Sequence, residues 1–253
     1  GRSDRPLMVY SHRPLQCQAP AACPIQFVMH GNSRTAQGYR DYWVAAANQH
    51  GFVVLAPEFT RAAWPGSRSY NQGDVAASDD SRLWAFSVVE HLFDEVRTSQ
   101  THYRIFGHSA GAQFVHRMMA LLPDNRASQA VVANAGWYTL PEWREERTNF
   151  PWPHSLFRAR VGEPGTRAAL SKPTLILLGE DDTDTRDPDL DQSPGSQAQG
   201  LHRLARGLNY FEFSRKLATE LGMSLPWRLV RVPHTGHSGR GMSEAAAREL
   251  YGP

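Results

Sequence analysis

Tyr103-Arg104-Ile105-Phe106-Gly107-His108-Ser109-Ala110-Gly111-Ala112 joins a short apolar run to a segment of helical spacing through two glycines and a serine. Tyr103 to Phe106 has the length and character of a buried strand, and Ala112 to Leu122 has helical length and apolar spacing. A G-x-S-x-G pattern alone arises by chance in roughly one chain of this size in ten at ordinary residue usage. Its position between a strand and a helix carries the weight. A turn that sharp strains the serine backbone and forces its neighbours to pack closely, which calls for Gly107 and Gly111 and leaves the Ser109 hydroxyl exposed at the sheet top. The competing reading is a glycine-rich turn whose serine only caps a helix.

Outward from this turn, strand-like and helix-like runs alternate along the whole chain. Strands are expected at Leu7 to Tyr10, Ile25 to Met29, Phe52 to Ala56, Tyr103 to Phe106, Ala130 to Asn134, Thr174 to Leu178 and Trp227 to Val232. Helices are expected at Tyr39 to Gln49, Ser81 to Val96, Ala112 to Leu122, Leu201 to Leu221 and Ser243 to Leu250, with Gly51 and Gly222 as C-terminal stops. Helical crossovers imply an α/β fold, a mostly parallel open sheet with helices on both faces. Two stretches, 57–79 and 136–171, break the alternation as long loops rich in aromatics, where binding sites form on open sheets.

The 253 residues suit one large domain spanning 1–253, and 41% hydrophobic against 21% charged residues is enough for a substantial core, which excludes disorder and a coiled coil. The 27 basic and 25 acidic residues are interspersed, so no clustered basic face for nucleic acid is expected. Lys172 and Lys216 are the only lysines, a usage attributed to coding bias. No run of 18 apolar residues is present to span a membrane. The chain starts at Gly1, the expectation being a trimmed or processed form. Cys17 and Cys23 fit either a short-range disulfide in an oxidising compartment or two free thiols, and are too few for a structural zinc site.

The strand-Gly107-His108-Ser109-Ala110-Gly111-helix unit within this alternation resembles the α/β-hydrolase family, over nearly the whole chain. That resemblance implies a nucleophile, acid, histidine order. After the strand Thr174 to Leu178 come Gly179, Glu180, Asp181 and Asp182, and the family's usual spacing selects Asp182, with Asp181 and Asp184 as alternatives. After the last strand come Pro233, His234, Thr235, Gly236 and His237, and the family's glycine-histidine pair selects His237 over His234. Ser109, Asp182 and His237 are thus the expected catalytic residues. An oxyanion needs amide donors, and the helix N-terminus supplies Ala110. By resemblance to the HG-x loop of esterases, His30-Gly31-Asn32 supplies Asn32; a plain strand-exit turn is the alternative for His30 and Gly31.

With a catalytic domain of this length, His30-Gly31-Asn32 and Gly107 to Ala112 resemble the polyhydroxybutyrate-depolymerase and feruloyl-esterase branch. The resemblance implies a serine hydrolase acting on small-molecule or polymeric carboxylic esters, secreted or periplasmic, with no metal and no cofactor. The chain departs from that branch at Asn32, where a cysteine is common, and at Ser238 and Gly239, near which an aromatic is common. Acyl transfer or amide cleavage on the same residues, or a non-catalytic binding protein of this fold, are the alternatives.

Trp137 and Tyr138, after one strand, and Phe59 and Trp64, after another, are expected walls of a substrate pocket, with core packing as the competing role. The aspartate-rich segment Glu180 to Ser196 invites a calcium reading but misses the EF-hand template: counted from Asp187, the sixth and twelfth positions are Gln192 and Ala198. A solvated acidic loop is expected there.

Overall fold

The computed structural model describes residues 5–18 and 22–252; Gly1, on which the expectation of a trimmed start rests, lies outside them. Seven strands form one sheet: β1 (Met8–His12), β2 (Ile25–Met29), β3 (Val53–Glu58), β4 (Tyr103–His108), β5 (Ala127–Ala133), β6 (Thr174–Gly179) and β7 (Arg228–Val232). Their order is β1-β3-β2-β4-β5-β6-β7, parallel except for β1, which pairs antiparallel with β3 at the edge. All seven expected strands are present, several extended by one to three residues.

The helices are α1 (Ala36–Asp41), α2 (Val44–His50), α3 (Gly66–Ser69), α4 (Ser87–Val96), α5 (Ala110–Leu121), α6 (Gly162–Ser171), α7 (Pro194–Gln197), α8 (Arg203–Glu220) and α9 (Gly239–Tyr251). Gly51 caps α2 with φ 71°, and Gly222 follows α8 with φ 67°, conformations that cost glycine least. Strand side chains alternate between two cores. Phe27, Met29, Ile105, Val132 and Ile176 join the core that includes Val89 and Phe114 of α4 and α5. Val28, Val54, Phe106, Val131 and Leu175 join the opposite core with Ala47 of α2 and Met242 and Ala246 of α9.

Three expectations about helices need correction. Tyr39 to Gln49 is two helices, broken so that the buried Trp43 packs edge-on against Phe52 and Phe106. The helix expected from Ser81 starts only at Ser87; Asp80 accepts the Arg82 amide and closes a separate 3-10 turn at Ser81–Leu83. Within 136–171, α6 forms despite Gly162, Pro164 and Gly165, because proline in the first turn gives up an amide that has no intrahelical partner.

The strand order reverses between β2 and β4, with β3 lying outside β2. The crevice beyond the carboxyl ends of strands at such a point is where ligands bind open α/β sheets.

Candidate active site

Ser109 sits between β4 and α5 with φ 56° and ψ −118°, a strained backbone for a residue with a side chain. Neighbouring chain presses on both sides. A Cβ on Gly107 would lie 2.2 Å from the Gly111 carbonyl oxygen, and one on Gly111 would lie 2.1 Å from that of Met29. Only glycine permits this approach, which sets Ser109 against the start of α5, where helix amides without intrahelical partners concentrate positive potential.

His237 Nε2 lies 3.0 Å from Ser109 Oγ, and its Nδ1 lies 2.8 Å from Asp182 Oδ2. Asp182 is 3% exposed, whereas Asp181, Asp184 and His234 are all exposed, so the structure brings together one member of each set of alternatives. The His237 loop is held tightly: a Cβ on Gly179 would stand 2.3 Å from the Thr235 carbonyl oxygen. Asn134, buried and left-handed at φ 45°, accepts the Gly179 amide at 2.8 Å and donates to the Gly236 carbonyl at 3.1 Å. It thereby ties the ends of β5 and β6 to the histidine loop.

Behind Asp182, Arg203 Nη1 lies 3.5 Å from Asp182 Oδ1 and 2.7 Å from Asp187 Oδ2. Partial burial pulls the Asp187 carboxyl up, but Arg203 and the Asp189 amide outweigh it and hold the group below the usual carboxylate range. The Leu204 amide donates to the Asp182 carbonyl, fixing the backbone of this loop to α8. Neither Arg203 nor Asn134 was singled out from sequence. Asn134 left a trace, a polar residue ending an apolar strand; Arg203 left none.

Asn32, Ala110 and Trp137 line one cleft of about 480 Å³ with Ser109, along with Gln113, His154 and Asp191. A Cβ on Gly31 would lie 3.5 Å from Ser109 Cβ, so the β2 exit loop passes directly beside the serine. The Asn32 side chain donates to Asp189 at 3.3 Å across the cleft rim. His30 is buried and neutral: Nδ1 bonds to the Gly31 carbonyl, Nε2 accepts the Phe59 amide, and burial pulls its pKa down to about 4.

Three of the expected pocket walls lie elsewhere. Phe59 and Trp64 are buried with ring centroids 5.0 Å apart, and Phe59 also packs on Tyr70 and Phe114. The 57–79 loop folds its aromatics inward onto α5. Tyr138 is buried as well, stacked on Tyr210 at 4.4 Å, while its amide donates to Gln199. Trp137 alone of the four reaches the cleft, stacked on His154 at 4.4 Å.

Buried arginines hold the loops around the cleft. Arg117 donates to the Asn71 carbonyl and to Thr139 Oγ1. Arg206 donates to the carbonyls of Gly136, Asp191 and Gly200, and Arg34 to those of Phe59 and Gly66. Cys17 and Cys23 are joined by a disulfide between β1 and β2, at the end of β2 opposite His30.

The acidic segment is only partly solvated, since Asp182 is buried, Asp187 pairs with Arg203, and Asp191 accepts from Ser193. No group of three or more metal-ligating side chains occurs among the described residues. No helix among them is long and apolar enough to cross a membrane.

A strained serine at the β4–α5 turn, hydrogen-bonded to a histidine after the last strand, within this sheet order, defines an α/β-hydrolase. Solved structures agree. Poly(aspartic acid) hydrolase-1 from Sphingomonas sp. KT-1 superposes with a TM-score of 0.91 at 40% identity, covering 98% of this chain and 94% of that one. LpqC, a poly(3-hydroxybutyrate) depolymerase from Bordetella parapertussis, gives 0.89 at 33% identity, covering 98% and 86%. The S-formylglutathione hydrolase FrmB from Staphylococcus aureus, at 15% identity and 0.56, covering 95% and 90%, shares the fold. No protein-family model and no curated protein matches the chain. The chain belongs to the α/β-hydrolase family of poly(aspartic acid) hydrolase-1 and LpqC, and is a hydrolase.

Proposed function

We propose that this hydrolase is a serine esterase working through an acyl-enzyme, with hydroxybutyrate oligomers or feruloyl-type esters as its substrate class. One observation carries this function: Asp182, His237 and Ser109 form an unbroken hydrogen-bonded chain ending on a hydroxyl in an open cleft. Ser109 Oγ attacks the ester carbonyl carbon while His237 Nε2 takes its proton. The imidazolium returns that proton to the departing alkoxide as its bond to the acyl carbon breaks. Water then attacks the acyl-enzyme, giving a proton to His237; the acyl bond to Oγ breaks, Oγ regains a proton, and the acid leaves.

Asp182 fixes the Nδ1–H tautomer and offsets the imidazolium charge. The amides of Ala110 and Asn32 receive the tetrahedral oxyanion, and Trp137 forms one wall of the acyl site. The Cys17–Cys23 bridge fits an enzyme that works outside the reducing cytosol.

Amide cleavage on the same residues is the second candidate, favoured by the 40% identity to a poly(aspartic acid) hydrolase. There the proton returned by His237 goes to a departing amine. The test is a panel of p-nitrophenyl esters of graded acyl length, feruloyl esters, hydroxybutyrate oligomers and poly(aspartic acid), run on wild type and Ser109→Ala. Ester turnover that disappears in a folded Ser109→Ala supports the esterase. Wild-type ester rates in that variant sink it, and cleavage of poly(aspartic acid) alone replaces it with the amidase.

A further inference from the structure

Directly before Ser109, His108 ends β4 fully inside the protein, in a position the chemistry above does not use. Its ring packs against that of His237, centroids 4.7 Å apart and planes inclined by 38°. Its Nδ1 lies 2.7 Å from Tyr39 Oη, and its Nε2 has no hydrogen-bond partner among the described residues. Burial keeps His108 neutral and keeps the Tyr39 phenol protonated, so the phenol O–H donates to Nδ1.

Tyr39 reaches further than His108. The Gly31 backbone passes beside the phenol oxygen, so closely that a Cβ on Gly31 would stand 2.9 Å from it. A Cβ on Gly239, two residues beyond His237, would stand 2.8 Å from the same atom. One hydroxyl therefore touches the loop carrying Asn32, the residue preceding Ser109, and the segment following His237. These three pieces of chain are far apart in sequence and must agree in position to within a fraction of an ångström for proton transfer and oxyanion binding to work together.

We propose that Tyr39 and His108 are positioning residues of this site. The Tyr39 phenol registers the β2 exit loop, the turn at Ser109 and the histidine loop against one another. The His108 ring blocks the His237 imidazole from turning away from Ser109. The proposal rests on the assignment of His237 as the base, and goes beyond it by naming what holds that base.

Tyr39→Phe keeps the ring and removes only the hydroxyl; His108→Gln keeps a polar side chain and removes the ring. Expected in each is a kcat lower by about tenfold, as for displaced reacting groups. KM should stay within about twofold, because the cleft wall is untouched. Nitrogen-15 histidine NMR supplies a readout independent of turnover. His237 should hold one tautomer, Nδ1–H, in the wild type and show a mixture in the variants. A purely structural role predicts a lower melting temperature with kcat and tautomer unchanged, and that result in both variants overturns the proposal. If the wild type turns over no substrate yet the tautomer changes on substitution, the esterase assignment falls while the positioning role stands.

Discussion

The Arg203 guanidinium lies 3.5 Å from the Asp182 carboxylate, with both side chains almost completely buried. Asp187 shares the same guanidinium, so one cation serves two carboxylates. Replacing Arg203 with methionine leaves both acids without a cation. With no cation between them the two carboxylates repel each other, and Asp182 is no longer held squarely behind His237. Arg203→Met is expected to lose about 3–5 kcal/mol of stability, the usual cost of orphaning a buried charge. Its kcat should fall by about 10- to 100-fold near pH 7, because the acid that orients His237 is displaced. A folded variant of lowered melting temperature that keeps the wild-type kcat would show that Arg203 serves only the fold.

Acid should unfold this protein through its buried histidines. His30 and His116 each accept a backbone amide on Nε2, from Phe59 and Thr139, and each bonds a backbone carbonyl through Nδ1. Burial holds both, and His108, below the ordinary value of 6.5. The unfolded chain therefore takes up protons first as pH falls, so stability is complete above about 6.5 and is lost progressively toward 4. For His30 alone, with a folded pKa of about 4, the loss at pH 5 is about 2 kcal/mol. Urea midpoints at pH 7.5 and pH 5 measure it. His30→Gln, which keeps a donor and an acceptor, should narrow the gap between the two midpoints, and an unchanged gap refutes the role given to His30.

The Cys17–Cys23 bridge closes a loop of sequence separation 6. For a loop this short, chain entropy gives a stabilisation of about 2 kcal/mol. Reduction should lower the melting temperature by several degrees and leave kcat unchanged, because the bridge lies at the opposite end of β2 from the serine cleft. A parallel loss of kcat in still-folded reduced protein would mean that the strand transmits strain to the cleft.

The elements that carry short-range signals were legible in the sequence. Every strand was, because each is a compact apolar run bounded by turn residues, and the turn at Ser109 was, because its glycines are demanded locally. His237 and Asp182 were reached only through the family's order and spacing; what separates Asp182 from Asp181 and Asp184 is burial against Arg203 and Leu204 of α8, within reach of His237, which no local pattern encodes. Phe59, Trp64 and Tyr138 were misplaced for the converse reason: an aromatic following a strand can turn toward a crevice or into the core, and here the core offers Phe114, Tyr70 and Tyr210 as partners. Arg203, Tyr39 and His108 act through contacts between segments distant along the chain, and their identities alone announce nothing; Asn134 announces only that an apolar strand ends on a polar residue.

The guanidinium groups of Arg34, Arg117 and Arg206 grip main-chain oxygens of the loops around the cleft. A carbonyl is supplied by every amino acid. The side chains at Asn71 and Asp191 can therefore be exchanged without releasing the hold beneath them, and the mould keeps its outline while its inner surface is rewritten. For directed evolution this divides the molecule cleanly: randomise Asn71 and Asp191, which line the cleft above gripped carbonyls, and leave the three arginines alone.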